Sequence, residues 1–182
     1  GDPQDVSFQE EDTWLKVGSH NLIREYVSFN RGSAKESKIT RIGDHNVFLS
    51  YSHVAHDCVV GSHTTFVNNA TLGGHVQVDD HAMIGAFSAV HQFCHIGASS
   101  FLARATQVPQ DVPPFMMVTG TPGKPCGLNV VGLKRRGFSH AEVKQLKLAF
   151  ELLYRRDLSL DMCLSELDSR FPESVHIAQL VD

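Results

Sequence analysis

The sequence lacks the features that mark several broad classes of protein. No apolar run approaches the roughly 20 residues that a membrane-spanning helix needs, and the first residues show no signal-peptide pattern. The formal net charge of −4 gives no basic excess that would favour nucleic acid or an anionic membrane surface. We therefore expect a cytoplasmic protein that neither spans a membrane nor binds nucleic acid.

A repeat of six residues runs through the middle of the chain. Large apolar residues occupy every sixth position over residues 42–108, a period that is neither helical nor a strand alternation and is typical of a hexapeptide solenoid. Three sixes would close a triangular coil, so residues 18 apart become vertical neighbours about 4.8 Å from each other. We predict a left-handed parallel β-helix. The inward positions are Ile42, Phe48, Val54, Val60, Phe66, Leu72, Val78, Ile84, Val90, Ile96, Leu102 and Val108.

The chain on either side of this repeat has a different composition. We expect coils from Val17 onward, with loop excursions near residues 1–16 and 30–41. The second excursion is polar and is interpreted as a solvated loop inserted between coils. The repeat should end near Gln107, where a proline-rich segment forms a cap. Because Gly1 is not a natural translation start, an N-terminal portion is expected to be missing.

Helical periodicity replaces the six-residue repeat after about Leu128. Ser139 starts a capping box with Glu142, and apolar residues then recur at helical spacing. A second helix should begin near Ser159 and a third should cover about residues 174–180. We therefore divide the chain into two domains, a solenoid of residues 1–127 and a helical domain of residues 128–182.

Four cysteines are scattered without the C-x-x-C spacing of a metal or redox motif. Cys58 and Cys94 fall on small-residue positions of the repeat, so buried free thiols are the simplest interpretation. Free thiols are typical of a reducing compartment.

Eleven histidines are many for this chain, and the repeat sorts them into groups. His45, His63 and His81 recur three hexapeptides apart, at the same place in successive coils. They would therefore form a vertical column at one register, which we interpret as stacked and facing solvent.

A second group of histidines lies among other residues suited to acyl transfer. A histidine can accept a proton near neutral pH, an adjacent carboxylate can fix its tautomer, and a glycine can expose a backbone N–H to an oxyanion. No serine, cysteine or lysine nucleophile is evident, which favours direct transfer over a covalent intermediate. Taken coil by coil, the cluster comprises His53, His56 and Asp57, then Gly74 and His75, then His91 and Gln92.

Other interpretations of these residues stay open at this point. The histidines could be surface residues without a role, or three of them from neighbouring coils or subunits could hold Zn²⁺. The gamma-class carbonic anhydrases have such a site on a hexapeptide solenoid. The pair Gln4 and Asp5 could contact a ligand or simply form a turn.

Several motifs in a fixed order make the chain similar to one family. They are "AHDC" at residues 55–58, "NNATLGGH" at 68–75, "AVHQFC" at 89–94 and "GLKRRGFS" at 132–139. Over nearly its whole length the sequence resembles the UDP-N-acetylglucosamine O-acyltransferases, which carry out the first step of lipid A synthesis. The resemblance implies a homotrimer of left-handed β-helices, with sites in the clefts between subunits and no metal or cofactor.

The resemblance also implies roles for individual residues. His56 would be the general base that deprotonates the sugar 3-hydroxyl, which then attacks the thioester of a 3-hydroxyacyl chain on acyl carrier protein. Asp57 would orient His56, and the N–H of Gly74 would be the oxyanion donor. Arg135 and Arg136 would suit an acidic carrier protein or a diphosphate. Contacts to UDP-N-acetylglucosamine would come from Gln4, Asp5, His53, His75, His91, Gln92, Asn129, Arg135 and Arg136.

The chain departs from the family pattern at a few positions. Phe101 and Arg104 stand where relatives often have smaller or more flexible residues, in a region that helps to set acyl-chain length. Bulk at these positions predicts a preference for shorter chains. Ser7 replaces a common lysine, which predicts rearranged nucleotide contacts, and Val131 replaces a common acidic residue, which leaves a 3-amino sugar open as acceptor.

Three rivals to O-acyl transfer follow from the same residues. One is an N-acyltransferase of the same pathway, one is a metal-dependent hydratase on the same solenoid, and one is a non-catalytic scaffold. The "GLKRRGFS" motif and the C-terminal helices favour the O-acyltransferase over the N-acyltransferase. The presence of His56, Asp57 and Gly74 argues against a scaffold without activity.

Overall fold

A computed structural model describes residues 1–9, 11–34, 37–156 and 158–181. Over these residues the chain forms a parallel β-solenoid of hexapeptide repeats followed by helices, as predicted. No helix in these ranges is long and apolar enough to cross a membrane.

The solenoid has three sheets, one on each side of the triangular coil. The first sheet contains β1 Trp14–Val17, β4 Ile39–Ile42, β7 Val59–Val60, β10 Gln77–Val78 and β13 His95–Ile96. The second contains β2 Leu22–Ile23, β5 Val47–Phe48, β8 Thr65–Phe66, β11 Met83–Ile84, β14 Phe101–Leu102, β16 Met116–Gly120 and β17 Gly123–Leu128. The third contains β3 Ser28–Phe29, β6 His53–Val54, β9 Thr71–Leu72, β12 Ala89–Val90 and β15 Gln107–Val108.

The predicted register of three hexapeptides per coil sets the pairing within each sheet. Val60 pairs with Val78 and Val78 with Ile96, both in parallel. All twelve apolar positions of the repeat point inward and are at most 4 % exposed. Full burial of such a side chain contributes roughly 1.5–3 kcal/mol, but a single coil covers little of its own core. Stability therefore depends on neighbouring coils stacking on one another.

The first coil begins earlier, and the inserted loop ends earlier, than the sequence indicated. β1 starts at Trp14 and pairs with β4 from Ile39, so the excursions predicted over residues 1–16 and 30–41 are both shorter. Trp14 is 65 % exposed, so it belongs to the sheet through backbone pairing and not through burial of its side chain. A pattern of buried apolar residues in the sequence therefore could not reveal it. The loop also lengthens this coil, which makes the vertical offset here 25 instead of 18.

The solenoid continues beyond Gln107, where the repeat was expected to end. Val112 forms a bridge with Ile96, and Val118 pairs with Leu102, so the last coil has an offset of 16. The shorter offset hides this coil from a strict six-residue pattern. β16 then turns back into β17, and this antiparallel hairpin covers the end of the second sheet.

The described residues of the C-terminal segment form four helices, of which three were predicted. The capping box of α2 is present, because Ser139 Oγ accepts from the Glu142 N–H and Glu142 Oε2 accepts from the Ser139 N–H. Ser159 caps α3 through the Met162 N–H. The first helix escaped prediction because it is too short for a periodic pattern. The helices are α1 Val130–Arg135, α2 His140–Arg155, α3 Leu160–Arg170 and α4 Val175–Val181. The division into two domains at residues 127 and 128 stays a prediction.

The corners of the coil carry residues in the left-handed region. Asp57, His63 and His75 have φ of 58°, 58° and 61°, where asparagine, aspartate and histidine are enriched among non-glycine residues. The glycines after the apolar positions have another role. A Cβ on Gly85 would overlap the backbone of the next coil at Leu102, so glycine allows the coils to approach closely.

The cysteines of the repeat are buried free thiols, as predicted. Burial raises the pKa of the Cys58 thiol to about 12, and its Sγ lies 3.1 Å from the carbonyl oxygen of Gly73, to which it donates. Cys58 is therefore protonated at neutral pH and is not a nucleophile of the neighbouring cluster.

Candidate active site

The centre of the site is a histidine–aspartate pair in the corner between β6 and β7. His56 Nδ1 lies 2.9 Å from Asp57 Oδ2, and the Asp57 side chain is fully buried. The backbone N–H of Asp57 donates to Thr40 Oγ1 at 2.8 Å, which helps to hold the left-handed corner. A carboxylate in this position favours the tautomer with the proton on Nδ1 of His56. Nε2 of His56 is then left with a lone pair that can accept a proton.

Gly74 lies on the next coil and directly faces this histidine. A Cβ on Gly74 would be 2.7 Å from Cε1 and 2.8 Å from Nε2 of His56, so only glycine allows the imidazole to lie here. Gly74 is buried, and its N–H has no hydrogen-bond acceptor among the described residues. A buried N–H without a partner is rare, and this one is available to stabilise an oxyanion beside His56.

His75 supports the pair from the coil above. Its ring makes an edge contact with the His56 ring, with centroids 5.1 Å apart, and stacks on Phe93 with centroids 4.5 Å apart. Its N–H donates to the His56 carbonyl at 3.0 Å. Phe93 did not emerge from the sequence, although it lies one full coil after His75 and the same offset would have found it.

The other predicted residues of the cluster lie on the same coils and differ in how far their side chains are exposed to solvent. His53 Nδ1 is 2.8 Å from Ser28 Oγ, and burial, reinforced by the neighbouring His56, lowers the pKa of His53. His53 therefore remains neutral at neutral pH. Gln92 and His91 are exposed on the following coil, and His91 Nδ1 contacts the Gln92 carbonyl at 3.1 Å. His91 faces a cavity that is lined mostly by the third sheet.

A second cluster lies along the second sheet and α1. A cavity of about 510 Å³ brings together Phe101, Asn129, Arg135 and Arg136, four residues that the sequence proposed for acceptor and acyl binding. Burial lowers the pKa of Arg136, with Asp80 acting in the opposite direction. The Arg136 guanidinium lies 5.4 Å from the centre of the Phe138 ring. The cavity therefore combines cationic and apolar walls.

Asn129 and Asp5 are already engaged in local hydrogen bonds. Asn129 caps α1 by accepting from the Gly132 N–H at 3.1 Å, while its Nδ2 donates to the Ser99 carbonyl at 2.9 Å. Asp5 Oδ1 accepts from both the N–H and the hydroxyl of Ser7, at 2.9 and 2.8 Å. The local turn anticipated for Asp5 is present, Gln4 beside it is exposed, and Arg104 is exposed on the corner after β14.

The column of histidines is present and is longer than predicted. His20 extends the series of His45, His63 and His81, with ring centroids 4.7, 5.0 and 4.9 Å apart. The sequence missed His20 because the inserted loop lengthens the coil that separates it from His45. The planes are within 10° of parallel, so the in-plane lone pairs of successive rings do not converge on one ion.

Comparison with known proteins defines first the class and then the family. Residues 39–74 match the model of the bacterial transferase hexapeptide repeat, and residues 111–182 match domain 2 of UDP-N-acetylglucosamine O-acyltransferase. The chain is therefore a transferase of the hexapeptide-repeat class.

Curated relatives and solved structures extend this match over the whole chain. An acyl-[acyl-carrier-protein]–UDP-N-acetylglucosamine O-acyltransferase of Verminephrobacter eiseniae is 47% identical, covering 94% of this chain and 67% of the relative. One of Thiobacillus denitrificans is 44% identical, covering 99% and 70%. The Bacteroides fragilis UDP-N-acetylglucosamine acyltransferase structure superposes with a TM-score of 0.96 at 32% identity, covering 100% and 71%.

This chain belongs to the acyl-[acyl-carrier-protein]–UDP-N-acetylglucosamine O-acyltransferase family. It is therefore an acyltransferase, and the resemblance stated from its motifs is confirmed. Membership of an acyltransferase family argues against a scaffold without activity.

The contact between Gly74 and His56 predicts the effect of adding one methyl group. Gly74→Ala should displace the imidazole, because the new Cβ meets a side chain that can turn away rather than fixed backbone. We expect acyl-transfer activity to fall roughly 10²-fold or more, the scale of a misplaced acid–base group, with a change of only about 1 kcal/mol in the free energy of unfolding. Gly127→Ala is the matched control, since no described residue apart from its chain neighbours lies within 4 Å of a Cβ there. Full activity of the Gly74 variant in a steady-state assay would contradict this packing.

Proposed function

We propose that this protein transfers a 3-hydroxyacyl chain from acyl carrier protein to the 3-hydroxyl of UDP-N-acetylglucosamine, the first step of lipid A synthesis. The observation that carries the proposal is the His56–Asp57 contact of 2.9 Å beside the N–H of Gly74, for which the described residues offer no acceptor. The names of its relatives supply the donor and the acceptor. The same proposal places the protein in the cytoplasm, where it would bind acyl carrier protein.

The reaction runs as direct transfer with general-base catalysis. His56 Nε2 takes the proton of the sugar hydroxyl while the oxygen attacks the thioester carbonyl carbon. The Gly74 N–H stabilises the oxyanion, and collapse of the tetrahedral intermediate expels the carrier thiolate. The imidazolium, held by Asp57, returns its proton to that sulfur. The step needs no cofactor and no protein nucleophile.

The acceptor is held by residues from both clusters. In the second-sheet cavity, Arg135 and Arg136 supply positive charge for the diphosphate, and Asn129 lies at the same wall. We assign the sugar and phosphate contacts nearer His56 to Gln4, Asp5, His53, His75, His91 and Gln92. The same cationic wall suits the acidic surface of a carrier protein.

A homotrimer accounts for the separation of the two clusters. The His56–Asp57 pair lies at the corner between the third and first sheets, whereas the cavity with Arg135 and Arg136 lies on the second sheet. Packing three copies around an axis would set the corner of one subunit opposite the cavity of another. Exposed apolar residues on the coil surface, Val59, Phe87 and Phe93 at 43 %, 64 % and 61 %, support such an interface.

Replacing the proposed base tests the mechanism. His56→Ala removes the only group placed to accept the hydroxyl proton in this mechanism, and we expect the rate of transfer to fall roughly 10²–10⁴-fold. The assay follows acylation of UDP-N-acetylglucosamine with carrier-bound donors, and gel filtration checks that assembly is unchanged. His45→Ala, an exposed histidine in the stacked column, should keep full activity. Near-full activity of the His56 variant would rule out the assignment.

The acyl-chain preference is a second expectation. Phe101 lines the second-sheet cavity and Arg104 is exposed one corner away, and their bulk should shorten the space for the chain. We expect the highest kcat/KM with a shorter donor in a series of graded length. Phe101→Ala should shift the optimum toward longer chains. A wild-type preference for the longest donor would contradict this role.

A metal-dependent hydratase is the second candidate, because His56, Asp57 and His75 offer ligand atoms that all lie within 4.8 Å of one another. Zinc accepts two histidines and a carboxylate, with water in the fourth position. Metal analysis and activity after dialysis against a chelator separate the candidates. We expect no stoichiometric metal and no loss of acyl transfer. One zinc per chain, with activity lost on chelation and restored by zinc, would favour the hydratase.

A further inference from the structure

Ser33 lies against the carboxylate of the proposed catalytic pair. Its backbone N–H and its hydroxyl both donate to Asp57 Oδ2, at 2.8 and 2.7 Å. This is the same oxygen that contacts His56 Nδ1 at 2.9 Å. Asp57 Oδ1 is buried without a hydrogen-bond partner among the described residues. Three donors therefore converge on one carboxylate oxygen.

The first residues of the loop that carries Ser33 pack against the solenoid. Ser33 is 2 % exposed, so the prediction of a solvated loop over residues 30–41 is wrong for this part. The Gly32 N–H donates to the Trp14 carbonyl at 3.0 Å, and a Cβ on Gly32 would overlap the backbone of Lys38 and Ile39. Glycine at this position thus lets the chain pass close enough to deliver Ser33.

The two ends of the loop hold Asp57 in different ways. Ser33, near the beginning, fixes the side chain, while Thr40, in β4 at the end, accepts from the Asp57 N–H at 2.8 Å. Asp57 has a left-handed φ of 58°, which is uncommon outside glycine and costs roughly 1–2 kcal/mol. Hydrogen bonds to both its backbone and its carboxylate offset that cost and leave the carboxylate little freedom to rotate.

The Ser33 hydroxyl is not placed to react with substrate. It is buried and donates to Asp57, whereas an activated serine would donate to the free nitrogen of the histidine. Its effect on catalysis must pass through the orientation of the carboxylate and hence of the His56 ring. A carboxylate that rotated could meet Nδ1 with either oxygen, and Nε2 would then point in more than one direction.

We propose that Ser33 is a positioning residue of the acyltransferase, which locks one rotamer of Asp57 so that His56 Nε2 faces the acceptor hydroxyl. The inserted loop is thereby part of the catalytic apparatus through a residue that never touches substrate. This inference rests on the proposed general-base role of His56.

Five variants test the role in transfer assays. Ser33→Ala should lower kcat about tenfold, a fraction of the roughly 10²–10⁴-fold that a positioned base supplies, with KM for UDP-N-acetylglucosamine nearly unchanged. Ser33→Thr keeps a hydroxyl and should recover most of the loss. In an Asp57→Asn background, Ser33→Ala should add little. Ser37→Ala is the matched control, because Ser37 Oγ in the same loop donates to the Ile39 carbonyl, its one hydrogen-bond partner among the residues that the structure describes.

A spectroscopic measurement keeps the inference separate from the reaction itself. In protein labelled with ¹⁵N-histidine, the Nδ1 proton of His56 should give a downfield resonance that broadens or shifts in Ser33→Ala and stays unchanged in Ser37→Ala. If the resonance of His56 is the same in Ser33→Ala as in the wild type, the positioning role is overturned. It is also overturned if Ser33→Ala lowers kcat equally in the wild-type and Asp57→Asn backgrounds. If the resonance behaves as expected but no variant or wild type transfers acyl groups, the proposed function fails and the Ser33–Asp57–His56 arrangement stands.

Discussion

The parallel stacking of coils at a fixed register is the constraint on which everything else in this structure depends. Backbone hydrogen bonds such as the one from Gly61 N–H to the Val78 carbonyl at 2.7 Å join each coil to the next. They place residues one coil apart in sequence within a single strand spacing of each other. Within the regular repeat, a side chain on one coil is therefore opposite the position 18 residues later, and a site can be assembled from residues far apart in sequence.

The site uses this constraint at a corner where the backbone is already unusual. The left-handed φ of Asp57 turns its carboxylate toward the neighbouring ring of His56, and the coil above supplies a glycine whose missing Cβ leaves room for that ring. The energetic demand of a buried carboxylate is met by hydrogen bonds from Ser33 and His56. The geometry that we propose for catalysis and the burial of this carboxylate thus depend on the same few contacts.

The sequence predicted those parts of the site that obey the repeat. His56, Gly74 and Gln92 follow from steps of one coil, and the buried apolar positions follow from steps of one hexapeptide. Ser33 and His20 were beyond such reasoning because the inserted loop changes the local offset to 25. The last coil was missed for the converse reason, since its offset falls to 16. Family resemblance supplied the grouping of Asn129, Arg135 and Arg136, which no periodicity connects.

The sequence by itself determined the solenoid, its register and which kinds of side chain meet at the corner that holds His56. The physical reason is that apolar burial and the close approach of the coils restrict which residues can occupy each position of the repeat. Only the tertiary structure decided what holds the Asp57 carboxylate and which residues share the second-sheet cavity. Those arrangements depend on an irregular loop and on helix packing. Neither carries a period that a linear pattern could express, so the contacts become visible only when the chain is folded.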